Sequence, residues 1–268
     1  MPELPEVETI RSSLQINKGS RITGIDIFKP EVIRRQDYPA EEIYGEQVVE
    51  VGRRGKFLVL VLSNKLYLVI HLGMSGRLYM ADEEEQLTKP HIHVVIHLDN
   101  QRKIVYEDPR RFGGVWFLKD VERFFDHMGK EPLSRQFTEE YLSGVVKNRR
   151  VAIKTLLLNQ NLIAGIGNIY ADEALFAANI RPDRPAGSLT APEIKRLVRT
   201  VKKVLRTGIE QRGTTFRDYR DGYNQKGNFQ NLLQVYGKIN QPCPKCGKLL
   251  QMTRIGGRSS HFCEKCQR

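Results

Sequence analysis

Long apolar runs are missing from this chain. The longest, such as Phe57 to Leu62, fall far short of the roughly 20 residues that a membrane-spanning helix needs. The N-terminus carries acids and no apolar segment, which excludes a secretory signal there. No cysteine occurs before position 243, so a disulfide framework distributed over the fold is excluded too. Internal repeats and low-complexity segments are absent. Acids are in short supply: 31 Asp and Glu stand against 43 Lys and Arg, a net charge of +12. That surplus favours a polyanionic partner through counterion release, with nucleic acid the first expectation and an anionic membrane surface the second. The absences point to a soluble, cytoplasmic protein.

What is present suffices for a folded molecule. A chain of 268 residues with 40% hydrophobic content can bury two cores and is not disordered. Val7, Ile10 and Leu14 fall at helical spacing after Pro5, with Gly19 as terminator. Strand patterns follow at Ile22 to Phe28, Gln47 to Gly52, Phe57 to Leu62, Leu66 to His71, His91 to Leu98, Lys103 to Tyr106 and Val115 to Leu118. They predict an antiparallel sandwich or flattened barrel with edge helices. Gly129 to Ser134 reads as a break, and beyond it the pattern turns helical. Thr190-Ala191-Pro192-Glu193 is a capping-box signal before Ile194, Leu197, Val201, Val204 and Leu205 on one face. The expected class is therefore α+β, with a β-sandwich at 1–130, a helical segment at 131–236 and a terminal segment at 237–268.

Several stretches carry chemistry. If Met1 is removed, Pro2 exposes a secondary amine beside the Glu3 carboxylate, a nucleophile and a proton shuttle in one place. The same pair also starts ordinary helices. Arg53-Arg54-Gly55-Lys56-Phe57 puts cations at a hairpin tip, free to reach phosphate or merely solvated. Met74, in His71-Leu72-Gly73-Met74-Ser75-Gly76-Arg77, and Phe112, in Arg110-Arg111-Phe112-Gly113-Gly114, either wedge into a base stack or fill the core. His91, His93 and His97 alternate without a carboxylate or cysteine partner, which favours surface hydrogen bonding over a metal. Ala164-Gly165-Ile166-Gly167-Asn168 is either a phosphate-binding helix start or a plain turn. Gly213 to Asn231, a polar stretch containing Gly and Tyr, is a lid or a surface loop. Cys243-x-x-Cys246 and Cys263-x-x-Cys266, sixteen residues apart, have the spacing of a closed, structural zinc site. Gly256-Gly257-Arg258 between the pairs reads as a hairpin tip.

Met1-Pro2-Glu3-Leu4-Pro5-Glu6-Val7-Glu8-Thr9 resembles the start of the formamidopyrimidine-DNA glycosylases, repair enzymes that remove oxidised purines such as 8-oxoguanine and then cut the strand. The other motifs stand in that family's order along the whole chain. The resemblance implies a helix-two-turn-helix element around Asn168, one structural zinc on the four cysteines, and damaged duplex DNA as partner to a monomer. By the same resemblance Pro2 is the nucleophile, Glu3 the acid, and Lys56 and Arg258 hold phosphates, while Glu6 lines the base pocket. Met74 and Phe112 fill the gap left by an extruded nucleotide, Arg110 faces the orphaned cytosine, His91 contacts DNA, Asn168 binds the DNA backbone, and Arg150 and Lys154 are basic positions of that DNA surface. Lys130 stands where the family often has proline. Endonuclease VIII, the sister enzyme for oxidised pyrimidines, typically has glycine where this chain has Leu4. A non-catalytic zinc-ribbon DNA-binding protein gives no reason for Pro2-Glu3.

Overall fold

In the computed structural model every residue except Lys89, Arg217 and Asp218 is described, so Lys89 of the His91 motif and two positions of the 213–231 stretch lie outside the described residues. The first helix, α1 (Leu4–Leu14), has Pro5 in its first turn, where no intrahelical N–H is required. Leu4, Val7, Ile10 and Leu14 are fully buried along one stripe. A short 3-10 turn follows, and Gly19 at φ +95 ends it in a conformation that side chains disfavour.

Among the described residues nine strands come next: β1 (Ile22–Ile27), β2 (Ile33–Gln36), β3 (Val48–Arg54), β4 (Phe57–Leu62), β5 (Tyr67–His71), β6 (Arg77–Asp82), β7 (Ile92–Leu98), β8 (Arg102–Glu107) and β9 (Gly114–Leu118). They form a four-stranded sheet in the order β1-β7-β8-β6 and a five-stranded sheet in the order β2-β9-β5-β4-β3. Leu58, Leu60, Leu68 and Ile70 from one sheet share a core with Val94, Ile96, Ile104 and Tyr106 from the other. Period-2 alternation sends the other residues outward, and Val59, Val69 and Trp116 are covered there by Phe124 and Phe125 of α2 (Val121–Phe125). Two strands, β2 and β6, lie outside the sequence expectation. β2 runs parallel to β9, the one parallel strand pair among the described residues of the sandwich, and its Ile-Arg-Arg-Gln carries almost no strand pattern. β6 directly follows the Met74 loop, whose glycines mask its start.

The second half is helical: α3 (Glu139–Val146), α4 (Ile153–Leu158), α5 (Asn168–Ala178) and α6 (Ala191–Glu210), then the hairpin β10 (Gln251–Ile255) and β11 (Arg258–Phe262). Ile194, Leu197, Val201 and Leu205 are buried on one face of α6. Thr190 N–H donates to the Glu193 carboxylate at 2.8 Å, closing the expected cap. Arg184, at 2.6 Å, holds the Glu193 carboxyl down to about 2. No helix among the described residues is long and apolar enough to cross a membrane.

The polypeptide divides into two units, one of Met1–Asp126 with Gln211–Gln230, the other of His127–Glu210 with Asn231–Arg268. The sequence expectation placed 211–230 within the helical segment 131–236. It packs instead on the sandwich, where Met80 N–H donates to the Gly222 carbonyl at 2.9 Å and Tyr219 joins the first core. Nor is it a simple surface loop, since Thr214, Tyr219, Asp221 and Phe229 are buried. Its polar groups find partners inside: Asp221 accepts from the N–H groups of Tyr223 and Gln225, each at 2.9 Å. The chain passes from the first unit to the second just before the expected break at Gly129, and Lys130 pairs with Ile163 in an isolated parallel bridge.

Candidate active site and metal centre

The head of α1 buries the expected chemistry. Pro2, Glu3 and Glu6 are all buried, whereas Met1 is 45% exposed. Glu6 organises this end. One carboxylate oxygen accepts from Glu3 N–H at 2.8 Å, capping the helix start, and the other accepts from Thr214 N–H at 2.7 Å. Tyr219 donates its hydroxyl to the Glu6 carbonyl at 3.3 Å. Glu6 is thus engaged by backbone N–H groups on both sides.

Lys56 does not wave from a hairpin tip. It occupies the β3–β4 turn with only 6% of its surface exposed, and Arg53 is held by Glu8 at 2.9 Å and by the Gly55 carbonyl at 2.8 Å. His71, which the sequence offers only as a strand end, closes β5 beside it. Burial, then the positive charge of Lys56, push the His71 imidazole down to about 4, against a smaller opposing pull from Asp108. A neutral His71 accepts Gly73 N–H at Nδ1, 3.2 Å away.

Met74 and Phe112 are 46% and 62% exposed, and Arg110 is exposed too, so the three do not fill the core. Their loops touch through backbone. Gly73 has φ +58, and a Cβ there would run into Gly113 N and Phe112 C. His91 is exposed at φ +75 just before β7. It is therefore not on a shared strand face with His93 and His97. His93 is buried with Nε2 at 2.8 Å from the Asp108 carbonyl, while His97 lies between Asp26 and Glu83 at 2.9 and 2.7 Å. These histidines hold no metal cluster among the described residues.

In the second unit Arg150 is exposed in the loop before α4. Lys154 differs more. It is fully buried, its Nζ 2.6 Å from Asp172 and 2.7 Å from the Ser259 carbonyl. A lysine so enclosed is a structural ion, not a displayed cation. Asn168 begins α5, and its Nδ2 donates to the same Ser259 carbonyl at 3.1 Å. Asp172 also accepts from His261 N–H at 2.9 Å and from its Nδ1 at 3.0 Å. Lys154, Asn168 and Asp172 thereby brace the strand that begins with Arg258. That arginine is exposed at a hairpin whose two turn residues, Gly256 and Gly257, have φ +55 and +76, a turn that needs glycine. Asp172, Asp108 and Thr214 escaped the sequence reading. An aspartate directly before a proline, as in Asp108-Pro109, is a local turn signal that the sequence does carry.

Below the hairpin the four cysteine sulfurs all lie within 4.8 Å of one another, with Cys243–Cys266 at 3.9 Å and Cys246–Cys263 at 3.6 Å. A tetrahedron with zinc–sulfur bonds of about 2.3 Å has sulfur–sulfur edges of roughly 3.8 Å, so the set fits zinc. Both cysteine pairs lie in tight turns, with Gly247 N–H donating to the Cys243 carbonyl at 2.8 Å and Gln267 N–H to the Cys263 carbonyl at 3.0 Å. Four protein thiolates leave no coordination position for chemistry, which makes the zinc structural.

Comparison with known proteins agrees with this geometry. Residues 1–115 match the formamidopyrimidine-DNA glycosylase N-terminal domain, residues 128–220 the H2TH domain of the same enzymes, and residues 240–268 the zinc finger found in FPG and IleRS. A formamidopyrimidine-DNA glycosylase of Syntrophomonas wolfei is 58% identical over 267 residues, covering 100% of both chains. One of Desulforamulus reducens is 48% identical, covering 100% of this chain and 99% of its own. Among solved structures, the MutM (Fpg) protein of Thermus thermophilus has a TM-score of 0.88 at 38% identity, covering 99% of this chain and 98% of its own. The Lactococcus lactis Fpg bound to DNA with an abasic site has a TM-score of 0.90 at 31% identity, covering 99% of each. With the buried Pro2-Glu3 head, the H2TH turn and the four-cysteine finger matched end to end, the chain belongs to the formamidopyrimidine-DNA glycosylase family.

Proposed function

We propose that this chain excises oxidised purines, 8-oxoguanine and formamidopyrimidines, from duplex DNA and then cuts the strand as an AP lyase, acting in the cytoplasm as a monomer. The observation that carries this reading is the burial of Pro2 and Glu3 together at the head of α1. Removal of the exposed Met1 converts the Pro2 nitrogen from an amide to a secondary amine. Its lone pair attacks the sugar carbon that bears the damaged base; the glycosidic bond breaks, its electron pair leaves with the base, and the departing base takes up the proton that the Pro2 nitrogen sheds. Glu3 gives a proton to the ring oxygen as the sugar opens, leaving a cationic iminium on Pro2. Loss of a proton from the adjacent sugar carbon then expels the 3′ phosphate. Lys56 and Arg258 hold phosphates through these steps, and Asn168 adds the N-terminal end of α5, which favours an anion. Lys154 enters this account as the partner of Asp172, not as a phosphate ligand. The zinc, when bound, supplies no chemistry; it shapes the finger that presents Arg258.

Borohydride reduction during turnover of 8-oxoguanine duplex should lock the enzyme to DNA, with peptide mapping placing the link at residue 2. Pro2→Gly should trap poorly. Glu3→Gln should stop base removal yet spare much of the cleavage of a preformed abasic site. A link mapped to Lys56 or another lysine, with full activity in the Pro2 variant, would falsify this mechanism.

A further inference from the structure

We propose that Asp108 is a positioning residue: it fixes the Met74 loop against the loop carrying Arg110 and Phe112, and so sets how well these side chains replace an everted nucleotide. This deepens the function proposed above and rests on reading those three residues as the gap fillers.

Asp108 is fully buried at the end of β8, and its carboxylate gathers donors from both loops. Oδ1 accepts from the Ser75 hydroxyl at 2.7 Å and from Arg110 N–H at 3.3 Å. Oδ2 accepts from Gly113 N–H at 2.9 Å and from the Tyr106 hydroxyl at 3.2 Å. Ser75 Oγ itself accepts from Arg110 N–H at 3.2 Å, so one hydroxyl follows Met74 directly and touches the backbone of Arg110. The Asp108 carbonyl accepts from His93 and from Arg111 N–H, at 2.8 and 3.1 Å. A buried carboxylate with four donors is held in one orientation.

The side chains that these loops carry, Met74, Arg110 and Phe112, are exposed. Rigid backbone beneath exposed side chains is what an inserting wedge requires, because each loop that must be ordered on binding subtracts from the energy available to unstack the lesion. An asparagine at 108 keeps the shape but has one acceptor oxygen, and its NH2 turns a donor toward either Gly113 N–H and Tyr106 or Ser75 and Arg110 N–H. Ser75→Ala removes only the bridge between the loops.

The test is single-turnover excision of 8-oxoguanine placed opposite cytosine, opposite adenine, and opposite an abasic analogue that has no base to read. Asp108→Asn and Ser75→Ala should each slow excision opposite cytosine by roughly tenfold, the scale of one charge-assisted hydrogen bond. Both should narrow the preference for cytosine over adenine, and the deficit should shrink opposite the abasic analogue. An equal deficit against all three partners means that Asp108 only supports the fold and overturns the proposal. So does an unaltered cytosine preference in Ser75→Ala, which decides the matter if Asp108→Asn fails to fold. Arg110→Ala is the control for the underlying reading. If it leaves the preference intact, the gap-filling assignment fails; if it abolishes the preference while Asp108→Asn and Ser75→Ala keep it, only the role of Asp108 is lost.

Discussion

His71 shows how burial converts an ordinary residue into a constrained one. Its pKa of about 4 in the folded chain lies below the ordinary 6.5, so the unfolded chain takes up the proton more readily between those values. Neutral His71 therefore contributes its full stability above about pH 6.5 and loses it as pH falls toward 4, a swing of at most about 3 kcal/mol. Urea titrations of wild type and His71→Gln at pH 7 and pH 4.5 should show a larger loss in wild type. Zinc release at low pH is common to both proteins and cancels in the difference. Parallel losses would mean that the imidazole is more solvated than its place beside Phe57, 4.6 Å between ring centres, suggests. At this scale the sequence was legible where a residue type has one reading, as with four cysteines. It was silent where burial decides: Lys56 and Lys154 look like displayed cations in a basic chain, and nothing local says that Asp172 will enclose one of them.

Among the elements, α4, α5 and β11 meet through that enclosed pair. Breaking a buried ion pair on one side leaves an uncompensated charge, so Lys154→Met should destabilise the protein by about 3–5 kcal/mol, and adding Asp172→Asn should restore much of it. Denaturant midpoints check this. Were Lys154 a phosphate ligand instead, Lys154→Met would keep its stability and reduce the salt dependence of DNA binding by about one unit of slope. Element existence was readable wherever the apolar period was strong, as in α1, β4, β5 and α6. It failed at β2, an edge strand of Ile33 and three polar residues that exists because of tertiary contacts. There Arg34 donates to the carbonyls of Arg111 and Gly113 at 2.6 and 2.9 Å, steadying the loop that carries Phe112. Such a strand follows its partner, not its own propensity.

The whole molecule is less linear than its sequence, since the chain returns to the first unit at 211–230 before completing the second. No periodicity announces that return; it follows from Thr214 and Tyr219 meeting Glu6. The division also localises the metal. Cys243 and Cys263 share a small core with Phe176, Val235 and Leu250, all in the second unit. Glu173 on α5 accepts from the N–H groups of Val235 and Tyr236, each at 2.9 Å, tying the start of the finger segment to the helix. The sandwich core contains no cysteine. Because binding energy for a structural zinc is folding energy for what surrounds it, removing the metal should open the finger and spare the sandwich. Hydrogen exchange after chelation, or in Cys243→Ser, should rise in residues 234–268 and remain unchanged in β4, β5, β7 and β8. DNA binding should fall with it, as Arg258 loses the hairpin that presents it. Faster exchange in both units together would show that zinc supports the entire fold, and unchanged exchange in the finger would show that Asp172, Glu173 and the small apolar core hold it without metal.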